Sequence, residues 1–319
     1  MKVVFLDAAT IDPELEWPPF EFPHDYSSYA NTAPDQVIER IKEANIVISN
    51  KVPITAAAIA AAPHLKHIAV PATGYNHIDI EACAHAAVTV SHVRDYAQIA
   101  VSEHCVALLF ALSRSLIPYH RSVASGRWQE VGLFSYFDYP IRQIQGSTLG
   151  IIGAGTLGRA FAQRAESLGM HILFAEHRGA TDTRPGYTPF KEVLAQADVI
   201  SLHCPLNEQT KHLLNAESFS LMHKQPLIIN TSRGGLIDPH ALVDALDAAQ
   251  ISGAAIDVVE QEPPAADHPY MQLMERPNFI MTPHVAWANR QAMRQLERQL
   301  VANIHAFVQG SPINLVVSS

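Results

Sequence analysis

The sequence predicts an α/β protein built from two units, each with a parallel β-sheet. Short β-rich runs alternate with alanine-rich helical runs through the N-terminal part, and the alternation restarts near residue 147 and continues to about residue 283. Strands that alternate with helices indicate βαβ crossovers, which produce parallel sheets. A chain of 319 residues also has room for two domains of ordinary size.

The N-terminal unit is expected to form the smaller sheet. A longer apolar helix begins near Val101, and we expect Pro118 to bend it and Gly126 to end it. The stretch 127–146 that follows is irregular and rich in aromatic residues and proline. The strand candidates of this unit are KVVFLD (2–7), NIVISN (45–50), HIAVPAT (67–73) and VTVSHV (88–93), with helix candidates at 34–44, 54–62 and 79–87.

The second unit is expected to form a doubly wound sheet of six strands, with helices between most of them. A final helix over roughly 286–309 is expected to stop at Gly310, because Pro312 lies just beyond it. The six strand candidates are TLGIIG, HILFAE, DVISLHCP, PLIINTS, AAIDVVE and NFIMTP.

Composition and charge exclude several classes of function. The formal charge is −9 and no run is rich in lysine or arginine, which argues against nucleic acid as a partner. No apolar run approaches the roughly 18 residues that span a bilayer, so we expect no membrane contact. Cys83, Cys105 and Cys204 lie far apart without a CxxC motif, which fits a reducing cytoplasm and offers no disulfide framework or zinc site. The 17 histidines are scattered without an HExxH motif, so we expect no metal.

A glycine-rich turn in the second unit has the spacing of a dinucleotide-binding fingerprint. Gly153, Gly155 and Gly158 follow an apolar strand (149–152) and open an alanine-rich helix (159–168). In such a turn the first glycine permits the tight bend and the second lets backbone N–H groups approach a pyrophosphate. The third allows close packing of helix on strand. The strand before the turn and the helix after it make this a specific prediction of a bound dinucleotide.

The next strand ends in an acid that bears on which dinucleotide is bound. Glu176 stands about where a carboxylate accepts hydrogen bonds from the adenosine ribose hydroxyls. His177 and Arg178 follow it and could instead hold a 2′-phosphate. Because a carboxylate repels that phosphate, the sequence favours NAD over NADP.

Three consecutive strands of the second unit deliver charged or titratable side chains to the same sheet edge. Arg233 follows one strand, Asp257 and Glu262 follow the next, and His284 follows the last. A carboxylate paired with the histidine would fix its tautomer and leave its other ring nitrogen to move a proton. The arginine fork matches a planar carboxylate. Asp257 interrupts an apolar strand and needs a partner if it is buried, for which the nicotinamide carboxamide is one candidate. The set predicts hydride transfer between a nicotinamide and a 2-hydroxy or 2-oxo acid.

The chain resembles the D-isomer-specific 2-hydroxyacid dehydrogenase family along nearly its whole length. Within the family, GRWQEVGLFSYFDYPIRQIQGSTLGI and PHVAWAN are similar to the glycerate dehydrogenase (hydroxypyruvate reductase) branch. The motifs that carry the family resemblance are ATGYNHIDIEA, AVSEHCVALLFALSR, GIIGAGTLGRAFA, DVISLHCPLNEQTKHLLN, NTSRGGLIDPHAL, AIDVVEQEP and TPHVAWAN.

The resemblance implies a Rossmann-type NAD-binding domain over 99–287 and a smaller flavodoxin-like substrate-binding domain over 1–98 and 288–319. It also implies a homodimer joined through the cofactor domain, for which the stretch 127–146 is a candidate arm. Arg233 would bind the substrate carboxylate and carbonyl, His284 would be the acid/base with Glu262 as its partner, and Thr73 and Gly74 would offer backbone N–H groups to the substrate. The implied cofactor contacts are Gly153, Gly155, Thr156, Leu157, Gly158, Glu176, His203, Cys204, Pro205, Thr231, Ser232, Arg233, Asp257 and His284.

Trp287 lies about one helical turn after His284 if the chain becomes helical there. It would then either wall the substrate pocket and favour small polar acids, or plug the domain junction.

Three functions remain open at this point. The first is an NAD(H)-dependent dehydrogenase of a small D-2-hydroxy acid, with glycerate and hydroxypyruvate, or glycolate and glyoxylate, as the pair. The second is another dehydrogenase of the family, acting on D-lactate-like, phosphorylated or formate substrates. The PATGYNHID loop supplies no lysine or arginine for a phosphorylated substrate. The third is a non-catalytic dinucleotide-sensing regulator, which would have no need of an acid/base pair.

Overall fold

Two β-sheets of six strands each organise the part of the chain that the computed structural model describes, residues 1–12 and 17–317. One sheet belongs to a unit formed by Met1–Tyr96 and the segment from Ala288 onward, which we call the terminal unit. The other belongs to Ala97–Trp287, the central unit. The predicted domain ranges, 1–98 with 288–319 and 99–287, nearly coincide with these two units. Within those ranges, residues 13–16 and 318–319 lie outside the described residues. The roles assigned to the two domains stay predictions.

All pairings in the central unit are parallel, in the order β11-β10-β9-β8-β6-β7. The terminal unit has the order β12-β5-β4-β3-β1-β2, in which β12 runs antiparallel to β5 and the other pairings are parallel. The α/β fold class is therefore confirmed. The strands are β1 (Lys2–Phe5), β2 (Asp25–Ser28), β3 (Ile46–Ile48), β4 (His67–Val70), β5 (Thr89–His92), β6 (Thr148–Ile152), β7 (His171–Phe174), β8 (Val199–Leu202), β9 (Leu227–Asn230), β10 (Gly253–Ile256), β11 (Phe279–Met281) and β12 (Leu315–Val317).

Helices connect most of these strands, as crossovers between parallel strands require. Short 3₁₀ turns add to them at Ala8–Thr10, Pro34–Gln36, Gly234–Leu236 and Pro269–Leu273. The α-helices are α1 (Val37–Ile41), α2 (Ala56–Ala60), α3 (Ile80–His85), α4 (Gln98–Ser113), α5 (Leu116–Ala124), α6 (Arg127–Val131), α7 (Thr156–Ser167), α8 (Phe190–Gln196), α9 (Ala216–Ser220), α10 (Pro239–Asp247) and α11 (Arg290–Val308).

The long apolar helix predicted from Val101 is two helices, α4 and α5, bent by 57°. The break lies at Ser115, whose φ of +50° is left-handed, and not at Pro118. Pro118 stands in the first turn of α5, where its missing N–H breaks no helical hydrogen bond. The predicted bend at the proline is therefore wrong. No single helix in the described ranges is long and apolar enough to cross a membrane, although this bent pair would suffice by length and composition.

The inner strands of both sheets are buried along almost their whole length, as expected where helices cover both faces of a parallel sheet. Every residue of β8, β9 and β10 is buried. In the central sheet the strand order reverses beside β6, which pairs with β7 on one side and β8 on the other. Ligands of open α/β sheets bind in the crevice at such a reversal, beyond the carboxyl ends of the strands.

His67 is a buried core residue of β4. Its ring nitrogens lie 2.7 Å from the Thr89 hydroxyl and 2.9 Å from the Ser91 hydroxyl, and its ring stacks on Phe307 at 4.4 Å. Burial lowers the pKa of His67 to about 3 from an ordinary value of 6.5, so the folded chain holds it neutral at physiological pH.

This histidine should make the terminal unit sensitive to acid. Between pH 6.5 and the lowered pKa the unfolded chain binds a proton that the folded chain does not, so stability falls as pH falls. At pH 5 the loss is about 2 kcal/mol. In His67→Gln the difference in unfolding free energy between pH 7 and pH 5, measured by urea denaturation, should shrink by that amount. His64→Gln, at an exposed histidine of the same unit, should leave the difference unchanged. Equal pH dependence in the two variants would contradict the assignment.

Candidate active site

The glycine loop after β6 is shaped by two close backbone approaches. A Cβ on Gly153, whose φ is +102°, would lie 2.5 Å from the backbone nitrogen of Cys204 and the carbonyl carbon of His203. A Cβ on Gly158 would lie 2.2 Å from the carbonyl oxygen of Gly153. Any side chain at either position would force the backbone apart, so the loops after β6 and β8 meet at the strand-order reversal only because these residues are glycines.

The start of α7 is open in the way that a phosphate group requires. A Cβ on Gly155 would meet nothing within 4 Å, and no side chain within the described residues caps the helix that begins at Thr156. The first N–H groups of a helix have no partner within it, and the helix dipole favours an anion there. The backbone around Thr156 and Leu157 therefore fits the pyrophosphate of a dinucleotide.

A cleft of about 300 Å³ extends from this loop. Of the three residues predicted to line the cofactor groove after β8, Cys204 lines this cleft. The backbone of His203 lies against Gly153, and Pro205 is exposed. The His203 ring bonds the Ser201 hydroxyl at 2.9 Å, and burial lowers its pKa to about 4. The lining residues are Ile152, Gly153, Ala154, Gly155, Ala175, Glu176, His177, Arg178, Arg184, Tyr187, Phe190, Cys204, Gln209, Thr210 and Leu213.

Glu176 is at the predicted place, but its carboxylate is already bonded within the chain. Arg184 donates from Nε and Nη2, at 2.6 to 3.0 Å, and also from its backbone N–H. The N–H of His177 donates as well. The Arg184 side chain, followed by these backbone N–H groups, lowers the pKa of Glu176 to about 2. The acid is thus ionised and paired.

His284 and Glu262 form the predicted pair. Nδ1 of His284 lies 2.6 Å from Oε2 of Glu262. Since an ionised carboxylate only accepts, Nδ1 carries a proton, and Nε2 is left to exchange a proton with another molecule. The other carboxylate oxygen of Glu262 accepts the N–H of Val259 at 3.2 Å, which fixes the acid as well as the ring.

Asp257 holds the loop that carries His284. Its buried carboxylate accepts the Thr282 hydroxyl at 2.5 Å and the N–H groups of Val285 and Ala286 at 2.9 Å each. The N–H of His284 donates to the carbonyl of Asp257 at 2.8 Å, and His284 adopts a left-handed φ of +54°. A non-glycine residue persists in this conformation only where its surroundings impose it. The buried acid therefore has partners without a nicotinamide carboxamide, and the predicted cofactor contact stays a prediction.

Arg233 lies at the end of the neighbouring strand in a turn tied by side chains. The amide of Asn230 donates to the Arg233 carbonyl at 2.9 Å and accepts the N–H of Ser232 at 3.0 Å. The Ser232 hydroxyl donates to the carbonyl of Cys204 at 2.8 Å, and Thr231 contacts Cys105. The half-buried guanidinium donates from Nη1 to the Ser232 carbonyl and forms an ion pair with none of the described residues. An anionic ligand would complete it.

Trp287 also contacts the histidine loop. Its indole N–H donates to the carbonyl of His284 at 2.9 Å, and this hydrogen bond holds the ring against the loop that carries His284. Both roles predicted for the tryptophan, a wall of the substrate pocket and a plug at the domain junction, stay predictions.

In the terminal unit, Thr73 and Gly74 follow β4, and a polar chain supports them. Nε of Arg94 donates to Nε2 of His92 at 2.8 Å, so His92 must carry its proton on Nδ1 and donate it to the Thr73 carbonyl, 2.8 Å away. Burial lowers the pKa of His92, and the charge of Arg94 lowers it further, while the hydrogen bond to the Thr73 carbonyl acts in the opposite direction. The loop is therefore held in one orientation.

Comparison with known proteins identifies the family to which this geometry belongs. Residues 106–286 match the model of the D-isomer specific 2-hydroxyacid dehydrogenase NAD binding domain. The chain belongs to this family. It is an NAD-dependent D-2-hydroxyacid dehydrogenase, and its substrates are a small hydroxy acid and the corresponding oxo acid. The predicted reaction class and cofactor are confirmed.

Relatives that match the chain over its full length are also dehydrogenases or reductases by name. A glycerate dehydrogenase of Methylorubrum extorquens is 46% identical over 318 residues, covering 99% of this chain and 98% of that protein. A hydroxypyruvate reductase of Blautia hydrogenotrophica is 33% identical and covers 99% of both chains. Among solved structures, D-lactate dehydrogenase from Aquifex aeolicus, complexed with NAD and lactic acid, superposes with a TM-score of 0.84 at 26% identity, covering 99% of both chains.

Several supporting residues of this dehydrogenase were not predicted from its sequence. Asn230 stabilises the turn that carries Arg233, and Thr282 bonds the Asp257 carboxylate that holds the His284 loop. Arg184 binds Glu176 from eight positions downstream. Asn230 gives one signal, since it is a polar residue at the end of an apolar strand. Arg184 gives none, because it lies in an irregular segment with other charged residues.

Proposed function

We propose that the protein interconverts D-glycerate and hydroxypyruvate with NAD(H), and reduces glyoxylate as a second oxo acid. The observation that carries the proposal is the full-length similarity to a glycerate dehydrogenase. The indole of Trp287 is held by its hydrogen bond to the His284 carbonyl. An indole held there would limit the space for substrate beside His284, which favours a small acid.

We assign the proton to His284 and the substrate carboxylate to Arg233. When bound, the nicotinamide supplies the hydride that reduces the carbonyl carbon. His284 gives its Nε2 proton to the carbonyl oxygen, and Glu262 stabilises the imidazolium and its orientation. Arg233 binds the carboxylate and polarises the carbonyl. In the oxidation His284 takes the proton back.

The remaining site residues are proposed in supporting roles. Thr73 and Gly74 offer backbone N–H groups to the substrate carboxylate, and Trp287 lines the substrate pocket. The cofactor contacts proposed from the cleft and the strand ends are Gly153, Gly155, Thr156, Leu157, Gly158, Glu176, His203, Cys204, Pro205, Thr231, Ser232, Arg233, Asp257 and His284.

The substrate proposal is tested by following nicotinamide absorbance with NADH and a panel of oxo acids. Hydroxypyruvate should give the highest kcat/KM, glyoxylate a lower one, and pyruvate and phenylpyruvate the lowest, because a pocket shaped for hydroxyl and carboxylate groups leaves buried polar atoms unpaired with the apolar acids. A preference for pyruvate would instead assign a D-lactate-like enzyme. Tight NADH binding without turnover of any oxo acid would revive a sensing role.

We also propose a cytoplasmic homodimer joined through α5 and the segment 127–146. The segment is held against α5, since the Tyr119 hydroxyl donates to the Tyr139 carbonyl at 2.8 Å and the Tyr136 hydroxyl to Ser122 at 3.0 Å. It nevertheless presents apolar side chains to solvent, and an ordered patch of this kind marks a protein interface. The three cysteines, all buried and free, support a reducing compartment. The exposed apolar residues are Leu116, Ile117, Val123, Trp128, Leu133, Phe134, Phe137 and Ile141.

Charges on this patch should dissociate the dimer. Phe134 is 95% exposed and Phe137 79%, so Phe134→Asp with Phe137→Asp should not disturb the fold of one protomer. Burying two such rings contributes several kcal/mol to association, so the dimer dissociation constant should rise by more than about 100-fold. Sedimentation velocity should show a monomer for this variant and a dimer for Ser135→Asp, which adds one negative charge to the same segment without removing an apolar side chain. A dimer in both variants would place the interface elsewhere.

A further inference from the structure

The pairing of Glu176 with Arg184 changes what the adenosine end of the cleft can bind. Oε1 of Glu176 accepts Nη2 of Arg184 at 2.6 Å, Nε at 3.0 Å and the N–H of His177 at 2.8 Å. Oε2 accepts Nε of Arg184 at 2.8 Å and its backbone N–H at 3.0 Å. Both oxygens are therefore engaged, and a guanidinium lies directly against the carboxylate.

An acid at the end of this strand selects the unphosphorylated ribose in two ways. It accepts hydrogen bonds from the ribose hydroxyls, and its charge repels a phosphate on the 2′ oxygen. Both effects need a carboxylate whose lone pairs and net charge face the ligand. Arg184 occupies lone pairs on both oxygens and places a positive charge within 3 Å of them, so the repulsion is largely cancelled.

The other charged groups that line this part of the cleft are basic. Arg178 and His177 stand beside Glu176 in the lining, together with Arg184. Arg178 pairs with Glu217 at 3.1 Å, with side-chain exposures of 37% and 63%. An ion pair this exposed is weak, so Arg178 can leave it for a phosphate. The lining thus offers two guanidinium groups against one carboxylate.

We propose that Arg184 is a cofactor-specificity residue. By holding both carboxylate oxygens of Glu176 it removes the charge that would exclude a 2′-phosphate, and the cleft accepts NADP(H) as well as NAD(H). The proposal rests on the dehydrogenase function and extends it to a second cofactor. Arg184 acts through Glu176, while Arg178 supplies the direct phosphate contact.

Two nucleotides that differ only in the 2′-phosphate test the proposal without turnover. We expect wild-type protein, titrated in a calorimeter, to bind adenosine 2′,5′-bisphosphate and AMP with dissociation constants within about tenfold of one another. Weaker binding of the bisphosphate by about 100-fold or more would overturn the proposal.

Variants then separate the action of Arg184 from that of a phosphate ligand. In Arg184→Met the bare Glu176 carboxylate faces the 2′-phosphate, so the affinity for the bisphosphate should fall by about 30-fold while that for AMP stays within about threefold. Removing the acid as well, in Arg184→Met with Glu176→Gln, should restore the bisphosphate affinity to within about threefold of wild type. Arg114→Met, the same change at an exposed arginine of the central unit, should alter neither affinity.

The possible failures are distinguishable. If the double variant stays as weak as Arg184→Met, the arginine contacts the phosphate directly and the proposed route through Glu176 is wrong. If Arg184→Met changes nothing, Arg184 has no part in specificity. The dehydrogenase assignment is judged separately, by turnover of hydroxypyruvate with NADH. Loss of that turnover with the binding pattern intact would remove the proposed substrate and leave the cofactor inference standing.

Discussion

Replacing His284 by alanine should lower kcat for oxo-acid reduction by about 10³- to 10⁴-fold, the range expected when a positioned proton donor is lost. The imidazole bonds Glu262 through Nδ1, so the variant loses the ring whose Nε2 is left to transfer the proton. The backbone conformation of the loop should survive, because Asp257 binds it through Val285 and Ala286 rather than through the ring. Stopped-flow turnover and NADH fluorescence titration provide the two measurements.

The control for this prediction is Glu262→Gln, which keeps a hydrogen-bond partner for the ring but removes the charge that stabilises the imidazolium. We expect a loss of about 10- to 100-fold in kcat, intermediate between wild type and His284→Ala. NADH affinity should change by less than about tenfold in both variants, because His284 is only one of the proposed cofactor contacts. Full activity in His284→Ala would assign the proton transfer to another group. A matching loss of NADH affinity would show that the histidine serves mainly to bind cofactor.

Replacing Arg233 by methionine should reduce kcat/KM for the oxo acid by about 10³-fold or more. A guanidinium bonded to a carboxylate in a dry site contributes several kcal/mol, and the loss leaves the substrate anion without a partner. Arg233 fits this role because none of the described residues forms an ion pair with it. Steady-state kinetics with hydroxypyruvate, together with the affinity for oxalate as an unreactive dianion, measure the effect.

Arg233→Lys separates charge from geometry. A lysine keeps the positive charge but cannot form two parallel hydrogen bonds to a carboxylate, so it should recover only part of the loss. NADH affinity should change by less than about tenfold in either variant. Equal losses for NADH and oxo acid would instead make Arg233 chiefly a cofactor residue, and unchanged oxalate affinity would rule out the carboxylate contact.

The apolar strands of the central sheet were predictable, since each of the six candidate segments overlaps an observed strand. In the terminal sheet, the two edge strands were not predicted. β2 is DYSS, mostly exposed and without apolar alternation, and its pairing is held by the backbone of β1. β12 has only three residues and runs antiparallel to β5. Edge strands this short carry too little buried surface to leave a pattern in the sequence.

The charged and titratable side chains of the candidate site were easier to predict than the hydrogen bonds that hold the surrounding loops. Arg233, Glu262 and His284 are recognisable because parallel strands bring their carboxyl ends to one edge, whatever the side-chain details. The contacts of Asp257 with Val285 and Ala286, and of Glu176 with Arg184, depend on rotamers and loop conformations. Local sequence patterns do not determine these contacts, and they did not predict that Glu176, the acid expected to repel a phosphate, is paired with an arginine.

The anchoring of residues 285–286 by the Asp257 carboxylate has a consequence for amide hydrogen exchange. A loop beyond a strand ordinarily exchanges its amide protons quickly, yet here two consecutive amides are bonded to an acid that is only 1% exposed. They should exchange as slowly as the strands beside them, because they are released only when the sheet edge opens. The orientation of the loop that carries His284, the proposed proton donor, is thus established when the chain folds, so substrate binding does not have to reorganise it.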